Sequence, residues 1–333
     1  MNHYSVIFGL MLLVLSLSQT IISQNLAGPS RTFPFKLSAL VFSTEVAKVV
    51  IAGASVLNDY VREQGTGKKA FVPKTRTVAI MAVPALLYTI SNTLLYTTIA
   101  LMGSTNAQIW LNIRIVITAV LCRVVVERPM TVLQWMSVFL LMAGVISCQD
   151  QSSQVSPHAI TMQAVLCLLI QTTCSSLAGV YQEVFFKNNS DERIAVKSLA
   201  LYFWTCLLSY AQWRRESVTE YTSFFQGFTT LTWISLSVNA LYGQAVALTL
   251  FFCDNMVKVF ATSLGPIAAV MLDALYFEVG FDLAKVLGAT VVTLSTIMFY
   301  SKHDWLLIQD SEALSSLLIR SVNSVQRPTY TEF

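Results

Sequence analysis

Long apolar runs alternate with short polar segments along most of the chain. Ten of these runs are long enough to cross a bilayer as helices, which takes about 20 residues each. They cover 4–24, 37–58, 78–101, 104–126, 131–149, 160–186, 195–213, 230–252, 258–279 and 283–301. The pattern predicts an all-α integral membrane protein with ten transmembrane helices, followed by a polar cytosolic tail over 302–333.

Composition supports this interpretation and removes several classes of function. Hydrophobic residues make up 55% of the 333 positions and charged residues only 12%, whereas soluble domains carry roughly 25% charged residues. A soluble enzyme, a nucleic-acid binder and a disordered chain are therefore excluded. The chain has no P-loop, no GxGxxG and no CxxC pair, and its three histidines lie outside the apolar runs. We expect no cofactor and no metal.

The basic residues predict an orientation. If the N-terminus is cytosolic, fourteen Lys and Arg residues lie on the cytosolic side and five on the opposite side. The positive-inside rule then places both termini in the cytosol. The polar stretch 148–158 has no basic residue and divides the chain into five helices over 1–150 and five over 151–301. Two five-helix halves in tandem are inverted relative to each other, which is a common transporter architecture with the substrate near the midplane.

Three cations lie within the predicted spans, where a lysine or arginine at the centre costs at least about 2.5–3.5 kcal/mol. Lys48 follows Glu45 by three residues and Lys258 follows Asp254 by four, so each can form a structural pair on its own helix. Arg114 has no acidic residue on its helix. The alternative is that all three cations face a cavity and attract an anionic solute such as phosphate.

Aromatic and amide side chains form a stripe on the third span. Tyr88, Asn92 and Tyr96 recur every four residues and so share one helical face. A nucleobase could stack on a tyrosine ring and pair its edge with the amide. The same stripe is also typical of helix–helix contacts in membranes, and the small residues Gly179 and Gly243 favour close helix packing.

Seven short stretches follow one another in a fixed order through the membrane portion. They are Thr44–Lys48, Pro84–Tyr88, Ser91–Thr93, Leu133–Phe139, Ala178–Glu183, Phe224–Thr229 and Asp254–Leu264. In this order they resemble the nucleotide-sugar transporters of the drug/metabolite transporter superfamily. The branch is the one that carries CMP-sialic acid, UDP-galactose and UDP-N-acetylglucosamine, and the resemblance extends over about residues 5 to 301.

The resemblance implies a multi-pass Golgi membrane protein, or alternatively an endoplasmic reticulum one, that is not an enzyme. It would exchange a nucleotide sugar for the matching nucleoside monophosphate, and a homodimer or glycosyltransferase partners are further expectations. Ala261–Leu264 resembles the UDP-galactose and UDP-N-acetylglucosamine carriers more than the CMP-sialic acid carriers. The alternatives are a CMP-sialic acid-type carrier, a metabolite exporter, or a non-transporting scaffold on the same fold.

The resemblance also implies a substrate-binding set. The positions that match the family's nucleotide site are Lys48, Tyr88, Asn92, Gln108, Tyr202 and Lys258. Arg114 stands where the family usually has lysine, and Gly179 and Asn255 lie within matched stretches. We include these three residues in the predicted site.

Five positions depart from the family's usual residues. They are Thr93, Ala107, Ser198, Ala200 and Phe251, in place of Asn, Tyr, Asn, Gln and Lys. Each replacement removes a polar group. We expect them to remove contacts to the base or the sugar, and so to change specificity or abolish transport.

Overall fold

The computed structural model describes residues 3–27, 35–62, 73–102, 110–127, 130–148, 161–188, 192–217, 223–276 and 283–300. Within these ranges the chain forms ten α-helices. They are α1 (His3–Ala27), α2 (Leu37–Arg62), α3 (Thr75–Met102), α4 (Ile113–Val125), α5 (Val132–Cys148), α6 (Met162–Asn188), α7 (Ile194–Ser217), α8 (Thr230–Phe252), α9 (Asn255–Tyr276) and α10 (Leu283–Tyr300). The ten predicted runs are thus confirmed as ten helices, and the tail over 302–333 lies outside the described residues.

The length and apolarity of the helices agree with a multi-pass membrane protein. Five of them, α2, α3, α6, α7 and α8, contain segments of at least 21 residues that are apolar enough to cross a bilayer, and shorter apolar segments lie in α1, α5 and α10. Large apolar side chains are exposed on the outer faces of the bundle, for example Val50, Leu57 and Ile297. In a membrane protein such side chains face lipid. The sidedness of the termini, the boundary near residue 150 and the inverted relation of the halves stay predictions.

Helices of the first five pack mainly on helices of the second five. α2 lies along α7, and α5 lies along α10. α1 packs on α8 and α9, while α6 packs on α3 and α4. Two buried clusters join these helices, one around Phe260 in α9 and one around Phe186 in α6. The space that seven of the helices enclose between these clusters is the functional site described below.

Lipid is as apolar as the side chains, so the hydrophobic effect does not drive helices together within a membrane. The contact between α5 and α10 shows which interactions take its place. A Cβ at Gly144 would lie 2.7 Å from Val292 Cγ2 and 3.0 Å from the Gly288 carbonyl oxygen. The Ser295 hydroxyl donates to the Ser137 carbonyl at 2.6 Å. Close approach and an interhelical hydrogen bond therefore stabilise this pair.

Polar contacts join α2 and α3 to α7 at one end of the bundle. Asp59 forms a salt bridge with Arg193 at 3.5 Å, and the backbone N–H of Lys74 donates to Glu192 Oε1 at 3.2 Å. A little deeper, the indole N–H of Trp204 donates to the Val78 carbonyl at 2.7 Å. These contacts join the described residues at the end of the bundle where α2 finishes and α7 begins.

The stretch Phe224–Thr229 has a structural role at the other end of the bundle, where α7 finishes and α8 begins. Gly227 has φ of 81°, a conformation that glycine adopts without strain, and the turn brings Phe224 against Trp213 with ring centroids 5.0 Å apart. Thr229 then caps α8 through a reciprocal pair of hydrogen bonds with Thr232. This motif therefore anchors the start of α8 beside the end of α7.

Candidate functional site

A cavity of about 310 Å³ lies in the middle of the bundle, enclosed by α2, α3, α4 and α6 to α9. Its volume is at the lower end of the roughly 300–1,000 Å³ typical of small-molecule sites. We call it the inner cavity. Six of the nine predicted site residues line it, from five different helices: Lys48, Tyr88, Asn92, Arg114, Tyr202 and Lys258.

Lys48 is held in place from two sides. Its Nζ lies 2.7 Å from Glu45 Oε1, and the other carboxylate oxygen of Glu45 accepts a hydrogen bond from the Thr205 hydroxyl at 2.6 Å. A Cβ at Gly243 would lie 2.5 Å from Lys48 Cε, so a side chain at this position would displace the end of the lysine. The predicted pair with Glu45 is confirmed, and Lys48 nevertheless lines the cavity, so the two interpretations of this lysine are compatible.

Lys258 has a different setting. The backbone N–H of Val257 donates a hydrogen bond to Asp254 Oδ1 at 2.8 Å, so Asp254 caps the start of α9. The Lys258 ammonium lies instead beside Gly179, where a Cβ would come within 2.7 Å of Nζ. Asn255 is fully buried next to the same glycine, and neither atom of its side-chain amide has a hydrogen-bond partner in the structure.

Gly179 and Asn255 thus lie behind Lys258 and are not among the residues that line the inner cavity. The backbone N–H of Asn255 donates to Glu183 Oε2 at 2.9 Å, while Glu183 Oε1 pairs with Lys187 at 2.7 Å. In this structure these two predicted site residues lie beside Lys258, and their part in substrate binding stays a prediction.

Arg114 supplies the third cation, from α4. Its side chain is exposed, and α4 is held against α6 by a hydrogen bond between Thr118 and Ser176 at 3.0 Å. None of the residues that the structure describes forms a salt bridge with Arg114 or Lys258. With Glu45 as the one carboxylate among the described lining residues, the inner cavity carries two net positive charges.

Three tyrosines complete the inner cavity. The Tyr88 hydroxyl donates to Gln182 Oε1 at 3.2 Å, and the Tyr202 hydroxyl donates to the Gly243 carbonyl at 2.8 Å. The Tyr202 ring also lies 5.8 Å from Lys48 Nζ, and Tyr242 contributes a third ring to the lining. Because both hydroxyl protons already have acceptors, the rings and the hydroxyl lone pairs of Tyr88 and Tyr202 remain for contact with a ligand.

A second cavity of about 270 Å³ adjoins the first. It lies between the start of α2, the later half of α3 and the end of α7, toward the end of the bundle opposite the contact between Asp59 and Arg193. We call it the outer cavity. Thr89, Asn92 and Ser209 line both cavities and mark the junction between them.

Comparison with known proteins decides the family. The family model described as "Nucleotide-sugar transporter" matches residues 3–301, nearly the whole chain. The chain belongs to the nucleotide-sugar transporter family. It is therefore a transporter and not an enzyme, as the sequence predicted.

Curated relatives of this family member include CMP-sialic acid transporter 2 of Oryza sativa subsp. indica, 26% identical over 268 residues that cover 80% of this chain and 75% of the relative. CMP-sialic acid transporter 4 of Arabidopsis thaliana is 30% identical over 228 residues, which cover 66% of this chain and 63% of the relative. One solved crystal structure matches with a TM-score of 0.65 at 12% identity, covering 90% of this chain and 98% of the other, and shows a shared fold.

Three of the five departures from the family pattern lie away from both cavities. Ser198 and Ala200 are buried in the helix packing, and Phe251 has its ring centroid 5.8 Å from the ammonium of Lys197. These three lie on faces of α7 and α8 that pack against other helices, and none of them is among the lining residues of either cavity. Their effect on specificity or transport stays a prediction. Thr93 does line the outer cavity. Ala107, Gln108 and the side chain of Tyr96 lie outside the described residues.

Several lining residues of this transporter were not predicted. Thr205 and Ser209 follow Tyr202 by three and seven residues, so helical periodicity on α7 would have found them. Gln182 follows the predicted site residue Gly179 by three residues, so the same periodicity on α6 would have found it. Tyr242 carries no such signal. Gln182 meets Tyr88 from a helix 94 residues away in sequence, and only the tertiary packing reveals that contact.

Proposed function

We propose that the protein is an antiporter that imports a nucleotide sugar into the Golgi or endoplasmic reticulum lumen in exchange for a nucleoside monophosphate. The single observation that carries this proposal is the convergence of Lys48, Arg114 and Lys258 on one cavity together with tyrosine rings. Fixed cations within a membrane are energetically costly and commonly mark a substrate site. Cations and tyrosine rings together suit a ligand that has both a phosphate and a base.

The charge of the inner cavity supports exchange of the two ligands. A nucleoside monophosphate carries about −1.5 to −2 charges at neutral pH, which balances the two net positive charges of the described lining. A nucleotide sugar presents the same base and phosphate chemistry to the same cations. The empty carrier retains its positive charge, and moving that charge through the hydrocarbon is unfavourable. Reorientation is therefore slow without a ligand, and transport becomes exchange.

Helix packing supports the inverted arrangement that such a mechanism uses. The two halves can be compared by exchanging each helix with its counterpart in the other half: α1 with α6, α3 with α8 and α4 with α9. Under this exchange the contacts of α1 with α8 and α9 become those of α6 with α3 and α4. The contacts of α2 with α7 and of α5 with α10 map onto themselves under the same exchange. We propose two inverted five-helix halves that rock about the inner cavity, with both termini in the cytosol.

For the substrate we favour UDP-galactose or UDP-N-acetylglucosamine, on the residues Ala261–Leu264. The second candidate is CMP-sialic acid, which is favoured by the names of the curated relatives at 24–30% identity. The two candidates differ in both base and sugar, so a single panel of nucleotides distinguishes them.

Counterflow in proteoliposomes tests the proposal. Vesicles preloaded with UMP or CMP are given labelled nucleotide sugars, and uptake is compared with that into empty vesicles. We expect uptake only with internal monophosphate, and we expect Arg114→Ala to abolish it. Arg123→Ala is the matched control, because Arg123 lies on the same helix but lines neither cavity. Equal uptake into empty vesicles would indicate a metabolite exporter, and no uptake with any nucleotide would indicate a scaffold.

A further inference from the structure

Glu183 is a buried carboxylate that joins two helices behind the inner cavity. The residue is 2% exposed and is not among the described residues that line either cavity. The backbone N–H of Asn255 donates to Glu183 Oε2 at 2.9 Å, and the Lys187 ammonium lies 2.7 Å from Glu183 Oε1. The carboxylate therefore links α6 directly to the first residue of α9.

The start of α9 needs such a partner, because the first N–H groups of a helix have no acceptor within the helix. The backbone N–H of Lys258 donates to the Asp254 carbonyl at 3.3 Å and begins the bonding within α9. Before it, Asp254 Oδ1 accepts from Val257 and Glu183 Oε2 accepts from Asn255. Negative charge is favourable at this end of a helix. One acid from the cap of α9 and one from α6 thus hold the turn that precedes Lys258.

The same two helices also meet at the end of the lysine side chain. Gly179 precedes Glu183 by four residues on α6, and Asn255 precedes Lys258 by three on α9, so each pair shares one helical face. A Cβ at Gly179 would lie 2.7 Å from Lys258 Nζ and 2.8 Å from Asn255 Oδ1. α6 therefore contacts α9 at two levels one turn apart, at the backbone of Asn255 and at the ammonium of Lys258.

Glu192 makes a comparable bond in a different place. It is 3% exposed, and its Oε1 accepts from the backbone N–H of Lys74 at 3.2 Å, just before α3 begins. Tyr88 is the first residue of α3 in the described lining of the inner cavity. It follows Lys74 by 14 residues, or about 21 Å along a helix. Glu192 is thus a buried carboxylate of the same kind with no cation of the cavity one turn away.

We propose that Glu183 is a positioning residue for phosphate recognition, because it holds the start of α9 against α6 and so holds the Lys258 ammonium at the inner cavity. This inference rests on the proposed function, which makes a phosphate the ligand of Lys258. Glu183 does not contact the ligand and acts through the lysine. Without the carboxylate, the first turn of α9 loosens and the long lysine side chain takes several positions, so binding must order it again.

The test compares two affinities in the purified full-length protein. Titration of UMP against uridine, or of CMP against cytidine, isolates the contribution of the phosphate, and thermal unfolding reports folding. We expect Glu183→Ala to weaken monophosphate binding about tenfold and to change nucleoside binding less than about twofold. Glu183→Gln should restore monophosphate binding to within about threefold of the wild type, because its amide oxygen can still accept from the N–H of Asn255.

Glu192→Ala is the matched control, since it removes the other buried carboxylate that accepts a backbone N–H from a distant part of the chain. We expect it to lower the melting temperature as Glu183→Ala does and to leave the ratio of monophosphate to nucleoside affinity unchanged. An equal fall of this ratio in both variants would show a general loss of structure and would overturn the proposal.

A double variant tests whether Glu183 acts through the lysine. In a Lys258→Ala background, we expect Glu183→Ala to change monophosphate binding less than about twofold, because residues that act as one unit are not additive. Additive losses would overturn the proposed route through Lys258.

If Glu183→Ala does not fold, Glu183→Asp keeps the charge and draws the carboxylate back by one methylene. We then expect monophosphate binding to weaken about threefold, and an unchanged affinity ratio in this variant would overturn the proposal. If the wild-type protein binds the monophosphate no better than the nucleoside, the proposed function fails and the inference fails with it. A wild-type preference for the monophosphate that Glu183→Ala leaves unchanged would overturn the inference alone.

Discussion

The inner and outer cavities are lined by successive turns of α3 and α7, yet they differ in net charge. On α3, Tyr88 lines the inner cavity, Thr93 and Thr97 line the outer cavity, and Asn92 lines both. The described lining of the inner cavity has two net positive charges, whereas the described lining of the outer cavity is neutral because Arg215 and Glu216 balance each other. The comparison teaches that successive turns of one helix can line two adjoining cavities of different net charge.

The largest effect should come from a change that removes a cation of the inner cavity. We expect Lys258→Ala to reduce monophosphate self-exchange and nucleotide-sugar exchange equally, each by about 100-fold, because a desolvated charge pair is worth about 2–5 kcal/mol. Counterflow with both ligands measures this. If only nucleotide-sugar exchange fell, the inner cavity would not be a shared phosphate site.

A smaller loss should follow from displacing the same cation without removing it. Gly179→Ala places a Cβ within 2.7 Å of Lys258 Nζ and 2.8 Å of Asn255 Oδ1. We expect both exchange reactions to fall about tenfold while the protein still folds, because the lysine end can move but then leaves its site. Gly53→Ala is the control, since a Cβ there meets nothing within 4 Å. Equal behaviour of the two alanine variants would show that the position of Lys258 is unimportant.

Neutralising Glu45 should separate binding from movement. Glu45→Gln gives the described lining of the inner cavity a third net positive charge, so the complex with a dianionic ligand is no longer neutral. We expect exchange of both ligands to slow about fivefold, while binding of the monophosphate, measured as a thermal shift, is retained. Glu127→Gln, an exposed position at the end of α4, is the control. Loss of binding together with exchange would instead indicate that Glu45 only positions Lys48.

The smallest effect should appear at the junction of the two cavities. Ser209 lines both, so Ser209→Ala removes a single hydroxyl that either part of the ligand can reach. We expect nucleotide-sugar exchange to fall about twofold and monophosphate self-exchange to fall less, because one neutral hydrogen bond contributes about 0.5–1.5 kcal/mol at most sites. A loss of nucleotide-sugar exchange greater than about tenfold would show that Ser209 contributes more than one neutral hydrogen bond.

The helices were predictable because each needs a long apolar run to cross a bilayer, and ten such runs are visible in the sequence. Their ends were less predictable. α3 begins at Thr75 and α9 at Asn255, each three residues before the predicted run, because polar residues extend a helix beyond the hydrocarbon. Hydropathy locates the membrane-spanning part of a helix, whereas capping and packing decide where the helix ends.

The site was predictable only in part. Costly charges within apolar runs identified Lys48, Arg114 and Lys258, and three-residue spacing predicted the pair of Lys48 with Glu45. The packing of α6 against α3 and α9 could not be read from spacing. For this reason the contact of Gln182 with Tyr88 and the position of Gly179 beside Lys258 were not predicted. The parts of Gly179, Asn255 and Ser198 in substrate binding stay predictions.

The most direct test of the account is a comparison of how tightly the protein binds a nucleoside monophosphate and the uncharged nucleoside. Titration of UMP against uridine, or CMP against cytidine, isolates the contribution of the phosphate. The account predicts that the wild-type protein binds the monophosphate at least about 100-fold more tightly, which corresponds to about 2.8 kcal/mol, and that Arg114→Ala with Lys258→Ala reduces this ratio to less than about threefold. A ratio that is unchanged in the double variant would contradict the assignment of these cations to the phosphate.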